Sequence, residues 1–114
     1  MNSKQKGKRG ELELAHEFER FGYDARRGVQ YNGADGSADV IGLPGLHVEC
    51  KRVENLNIRT AVNQAVSDAR KGEIPAVFHK RNRGIWLVTL TVDDFMRLYD
   101  VYRKYGNGGR GSDE

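Results

Sequence analysis

Ala38-Asp39-Val40-Ile41 and Leu46-His47-Val48-Glu49-Cys50-Lys51 read as two short strands joined by the turn Gly42-Leu43-Pro44-Gly45. Side chains alternate faces along a strand, so Glu49 and Lys51 point one way while Leu46, Val48 and Cys50 point the other, into a core. Folded back as a hairpin partner, the first segment sets Asp39 beside them. The expected result is two carboxylates and an ammonium converging on one solvent-facing point. Such a point suits a divalent metal next to a phosphodiester.

Working outward, Glu11 to Phe21 has Leu14, Ala15, Phe18 and Phe21 on one helical face, with Gly22 as the stop. Tyr23 to Val29 reads as a first strand, followed by a loop of turn residues, 31–37. Downstream of Lys51, Ile58 to Lys71 is a second helix with Ile58, Ala61, Val62, Ala65 and Ala69 on one face. Pro75–His79 and Ile85–Leu90 are two further strands. Thr91 is placed to cap a last helix running to Tyr105, with Asp93 and Asp94 favoured in its first turn by the helix dipole. Phe95, Leu98, Tyr99 and Tyr102 form a stripe along that helix, which belongs in a core or, failing that, in a subunit interface. The order α-β-β-β-α-β-β-α predicts an α/β chain with one mixed sheet flanked by helices. Residues 1–9 read as a basic arm, 10–105 as one domain and 106–114 as a flexible tail.

The 114 residues suffice for a single core, and 38% hydrophobic with 31% charged residues is ordinary for a globular protein. No run is long and apolar enough for a membrane span, and no signal-peptide pattern follows the basic N-terminus. The single cysteine excludes an internal disulfide. A cytoplasmic protein, in the host cell if viral, is expected. Net charge is only +3, but its distribution is uneven. Lys4, Lys6, Lys8 and Arg9 crowd the first ten residues, Arg26-Arg27 and Lys51-Arg52 follow, and Lys80, Arg81 and Arg83 cluster between two apolar runs. Basic segments on a near-neutral body suit a phosphate backbone.

Glu11 extends the apolar stripe of the first helix, where an acid is costly unless paired or metal-bound. It can equally stay solvated in a first helical turn, favoured by the dipole. Glu13 and Glu17 read as ordinary solvated residues. His47 shares a face with Glu49 and Lys51 but reads as a bystander at the strand start. Cys50 faces the core, and neither His16 nor His79 is near enough in sequence to suggest a zinc site.

Lys6-Gly7-x-x-x-Glu11 opening a helix, Gly22-Tyr23 closing it, a Gly/Ser-rich loop, Ala38-Asp39, Glu49-x-Lys51 and Gln64 on the next helix occur in that order. Over roughly residues 6 to 90 the chain resembles the PD-(D/E)xK nuclease superfamily, and within it the archaeal-type Holliday junction resolvases and their phage relatives. The resemblance implies a restriction-endonuclease-like core. It makes Glu11, Asp39 and Glu49 acidic site residues, Lys51 the catalytic lysine, Gln64 a helix residue near the site, and Ser37 a small polar residue close to the scissile phosphate. Ala38 stands where the family usually has proline, which removes no ligand. The short stretch after the last helix reduces elements that make dimer contacts in the family.

Mg²⁺ takes hard oxygen ligands and keeps several waters, so Asp39, Glu49, the backbone carbonyl of Cys50 and a substrate phosphate suffice, with Glu11 as a further acid of the metal set. Mn²⁺ should substitute. Lys51 can orient water or stabilise developing charge. The resemblance implies a homodimer resolving four-way DNA junctions by paired nicks; the basic clusters make Lys4, Lys6, Lys8, Arg9, Arg26, Arg27, Lys80, Arg81 and Arg83 the expected phosphate contacts. A restriction- or repair-type nuclease on duplex, flap or single-stranded DNA would share the same centre. A non-catalytic DNA-binding protein on the same fold would not need it.

Overall fold

The computed structural model describes residues 3–28 and 38–106, with side chains from residue 5 onward. Its first helix, α1 (Ser3–Arg20), begins well before Glu11. Lys, Gln and Arg are good helix formers and no proline interrupts the leader, so the helix propagates backward through it. Lys6, Lys8 and Arg9, expected in an arm, therefore ride on the first turns of α1. Gly10 lets this helix approach the sheet closely: a Cβ there would lie 2.6 Å from Cβ of Arg52.

Seven further elements follow in the expected order. They are β1 (Arg26–Arg27), β2 (Val40–Ile41), β3 (Leu46–Arg52), α2 (Ile58–Asp68), β4 (Ile74–Lys80), β5 (Leu87–Thr89) and α3 (Val92–Val101), which runs into a π-helical turn over Tyr102–Gly106. The strands form one mixed sheet in the order β1-β2-β3-β4-β5. Only β3 and β4 are parallel, in register from Leu46↔Ile74 to Arg52↔Lys80, with α2 as the crossover between them. Asn57 caps α2 by accepting from the Thr60 N–H, and Thr91 caps α3 by accepting from Asp94 N–H. β1 and β5 are shorter than the strands expected over Tyr23–Val29, whose last residue lies outside the described ones, and Ile85–Leu90.

Two helices cover the two faces of the central strands. Under α1, Leu14, Ala15 and Phe18 pack with Val40 and Val48, and the Phe18 and Phe78 rings meet edge to face at 5.0 Å. On the other face, Ala61 and Ala65 of α2 pack on Val77. Glu49 lies beside Val77 in the β3–β4 register, so it faces α2 rather than solvent. The expected solvent-facing point is corrected accordingly: Glu49 is only 7% exposed.

Two apolar assignments also change. Phe21 is exposed because α1 ends at Arg20 and Gly22, at φ +96°, reverses the chain. The α3 stripe does not enter the core. No residue of α3 is buried, and Phe95, Tyr99 and Tyr102 stack on one another on its outer surface, with centroids 6.3 and 6.0 Å apart. Among the described residues, no helix is long and apolar enough to cross a membrane.

Leu14 is fully buried between α1 and the sheet, whereas Leu12 on the opposite side of the helix is 47% exposed. Leu14→Ala should cost about 3 kcal/mol in urea unfolding through lost burial and the cavity left behind. Leu12→Ala should leave the midpoint nearly unchanged, and equal costs for the two would contradict this packing.

Candidate active site

The site forms where β3 loses its antiparallel partner. The β2–β3 ladder pairs Val40 with Val48, and the Asp39 N–H donates to the Val48 carbonyl at 2.9 Å. β2 begins only at Val40, and beside Cys50 the Asp39 carboxylate takes over. Its Oδ2 accepts the Cys50 N–H at 2.8 Å, so a side chain satisfies the backbone donor that the short β2 leaves behind. This bond fixes Asp39 next to Glu49.

Asp39, Glu49, Cys50 and Lys51 share the wall of an open cleft of about 590 Å³. α1 contributes Lys6, Gly7 and Glu11 to it, and α2 contributes Gln64 and Asp68. Glu11 accepts from Arg27 Nε at 2.8 Å. The Glu11 ambiguity is thereby resolved in favour of a paired, half-buried acid. Burial pushes its carboxyl above the usual range, the Arg27 bond opposes this, and Asp39 adds repulsion. Glu49 is raised in the same way, first by burial and then by the Asp39 charge, against a bond from His47. Lys51 lines the same cleft, and its positive charge pulls the Glu11 and Glu49 carboxyls downward, against their burial.

A hard divalent cation fits this donor set. Asp39 and Glu49 crowd like charges into a partly desolvated place, and an ion between them would relieve both. The Cys50 sulfur is not a donor, because burial holds its thiol protonated, so only its carbonyl is available as a ligand.

Several basic residues are engaged within the fold. Arg27 is committed to Glu11, and Lys80 pairs with Glu13. Glu13 is not the solvated residue expected from sequence: α1 packs it against the sheet, where it also accepts from Arg52 Nε at 3.0 Å. Arg52 Nη1 in turn donates to Asn82 Oδ1 at 2.8 Å, tying the 81–84 turn to α1. Lys6, Arg9, Arg52 and Asn82 line a depression that shares Lys6 and Arg52 with the cleft. Lys8, Arg26, Arg81 and Arg83 are exposed. Ser37 and the Lys4 side chain lie outside the described residues, as do Val29, residues 31–37 and 107–114.

Sequence alone makes His47 a bystander and gives Asp68 no role; the structure sets both against Glu49. His47 is 1% exposed, and its Nε2 lies 3.2 Å from Oε1 of Glu49. Strand alternation already put them on one face, but nothing in the sequence showed that α2 would cover it. Asp68 accepts from Gln64 Nε2 at 2.8 Å, one helical turn away. Spacing on α2 signalled that pair.

A mixed five-stranded sheet with helices on both faces, and an acid cleft at the open edge of its central strand, defines a restriction-endonuclease-like fold of the PD-(D/E)xK kind. The chain belongs to the family described as "Phage putative PDDEXK endonuclease", whose model matches residues 2–107. No curated protein and no solved structure matches it.

Burial alone would raise the Glu13 carboxyl, but the bonds from Lys80 and Arg52 outweigh it and hold it below its ordinary value of 4.5. A depressed acid stabilises the fold above its unfolded value, and that stability is lost as pH falls through the folded value. Glu13→Gln should therefore cost about 1 kcal/mol near neutral pH, a charge-assisted pairing discounted for its partial exposure. In urea titrations the difference from wild type should shrink as pH falls below the ordinary value of 4.5 and protonates Glu13 in the folded chain. A gap that persists in acid would assign the effect to packing instead.

Proposed function

We propose that this nuclease is a metal-dependent, structure-selective endodeoxyribonuclease that resolves four-way DNA junctions as a homodimer. The observation that carries the phosphodiester chemistry is the convergence of Glu11, Asp39, Glu49 and Lys51 on one open cleft bordered by Lys6. The junction as substrate is supported by the resemblance of the motif order to the resolvases.

In this reading Asp39, Glu49 and the Cys50 carbonyl hold Mg²⁺, with Mn²⁺ able to replace it. When bound, the ion supplies an acidified water and neutralises phosphate charge. Lys51 donates to the non-bridging oxygens of the scissile phosphate as charge builds there. Glu11, held by Arg27, closes the acidic wall, and Gln64 orients Asp68 at the rim. Ser37 is assigned a place near the phosphate. Lys6, Lys8 and Arg9 on α1 and Arg81 and Arg83 on the 81–84 turn take the flanking backbone, joined by Lys4 and Arg26. Arg27 and Lys80 act through their partners rather than on DNA.

Two symmetric nicks need two symmetric centres, which a C2 dimer provides. The exposed α3 stripe is the surface we assign to it. Asp93 and Asp94 open the C-terminal helical segment, with Arg97 paired to Asp94, and Arg103 and Lys104 close it. An antiparallel copy would set acids against bases and cover Phe95, Leu98, Tyr99 and Tyr102. Tyr99→Asp should convert the dimer to monomer in sedimentation; an unchanged molecular mass would move the interface elsewhere.

Labelled four-way junction, duplex and flap DNA incubated with Mg²⁺ test the substrate directly. Paired nicks confined to the junction are expected. Equal cutting of duplex or flap would make this a restriction- or repair-type nuclease with the same centre. Asp39→Asn should lower cleavage by about 10³-fold or more while junction binding persists, and undiminished cleavage would reject the assigned site. Lys6→Ala should flatten the slope of log affinity against log salt by about one.

A further inference from the structure

A depression of about 400 Å³ lies beside the cleft, walled by Lys6, Arg9, Gly10, Glu13, Arg52 and Asn82. Lys6 and Arg52 line both hollows, so the two adjoin. Apart from Gly10, every residue of the wall is charged or an amide, which suits an ionic ligand and not an apolar one. Three cations line it against one acid, and that acid, Glu13, already accepts from both Arg52 Nε and Lys80 Nζ. The hollow therefore keeps a positive balance, and the ligand it suits is an anion.

Arg52 is the most constrained part of this wall. Glu13 Oε1 accepts from its Nε at 3.0 Å, and Asn82 Oδ1 accepts from its Nη1 at 2.8 Å. Asn82 is itself fixed, because its backbone N–H donates to Glu54 Oε2 at 2.6 Å. Gly10 completes the clamp. A Cβ there would lie 2.6 Å from Arg52 Cβ and 3.2 Å from its Cγ, so α1 rests directly on the arginine stem. A guanidinium carries more N–H donors than these two bonds use. The rest are held in a rigid plane before any ligand arrives, which lowers the ordering cost of binding a phosphate.

We propose that this depression is a seat for the backbone phosphate next to the scissile one, held by Lys6, Arg9 and Arg52, with Glu13 and Asn82 as positioning residues that aim the Arg52 guanidinium. This rests on the reading of the cleft as a nuclease centre. A strand with its reacting phosphate in the cleft passes the shared wall of Lys6 and Arg52 and brings its neighbouring phosphate into the depression. The seat takes a phosphodiester anion through charge and hydrogen bonds, requires no metal and reads no base. Its consequence is register. A strand gripped at two successive phosphates cannot slide along the cleft, so the bond to be cut is set before the metal acts on it.

Binding of a labelled four-way junction by the full chain without divalent metal is the test, with methylphosphonates placed one step at a time in opposite strands. Each substitution removes the charge of one phosphate. Wild type should lose affinity about tenfold at the seated phosphate. Arg52→Gln and Arg9→Gln should each bind the unmodified junction more weakly and no longer respond to that substitution, and Asn82→Ala should respond less. Arg52→Gln breaks a part-buried pair, so Arg9→Gln and Asn82→Ala, both at exposed positions, decide the matter if it does not fold. With Mg²⁺ restored, the cut should fall at the phosphate adjacent to the coupled one. Variants that respond to every methylphosphonate as wild type does would make the Glu13, Arg52 and Asn82 network a brace for the 81–84 turn and overturn the seat. A cut several nucleotides from the coupled phosphate, or no binding of the junction, would overturn it as well. A coupled phosphate on DNA that is never cut would uphold an anion seat and reject the nuclease reading instead.

Discussion

The hydrogen bond from the Cys50 N–H to Asp39 Oδ2, 2.8 Å long, is the contact on which the rest of the site depends. β2 is too short to pair with the whole of β3, so the central strand would otherwise carry an unsatisfied donor in a half-buried place. A carboxylate answers that need, and in doing so it is brought beside Glu49. The same bond closes the sheet edge and assembles the acids. Structure and chemistry are therefore coupled at one residue, and Asp39 is constrained for both reasons.

Around it the charges are arranged in layers. Glu49 and Glu11 are pushed toward neutrality by burial and by Asp39, which makes the cleft a place that favours a cation over bulk water. Arg27 and His47 each hold one of these acids from behind. Further out, Glu13 draws Arg52 and Lys80 inward and so fixes the 81–84 turn beside the first turns of α1. Several cations that a charge count would assign to DNA, Arg27, Arg52 and Lys80, are thus paired within the fold, while Lys8, Arg26, Arg81 and Arg83 stay exposed.

Much of this was legible in the residues. The alternation around Glu49, the turn at 42–45 and the helical faces of Leu14, Ala15, Phe18, Ala61 and Ala65 predict the element order and the central hairpin. Each of these is a local signal, a period of two or of 3.6 residues bounded by turn chemistry. The Asp39, Glu49 and Lys51 grouping followed because a hairpin register depends on neighbours in sequence. Helix length was less legible: no stop signal separates the basic leader from Glu11, and α1 runs through both.

By itself, then, the sequence determined the order of elements, the central hairpin and the identity of the acids and lysine that meet on it, because periodicity and turns act over short stretches of chain. Tertiary structure alone decided what covers them. The parallel pairing of β3 with β4 requires a crossover, and that crossover lays α2 over the Glu49 face, burying His47 and bringing Asp68 to it. It also left α3 without a core to enter, since both faces of the central strands were already covered by α1 and α2. Burial and pairing of this kind depend on residues distant in the chain, which no local pattern records.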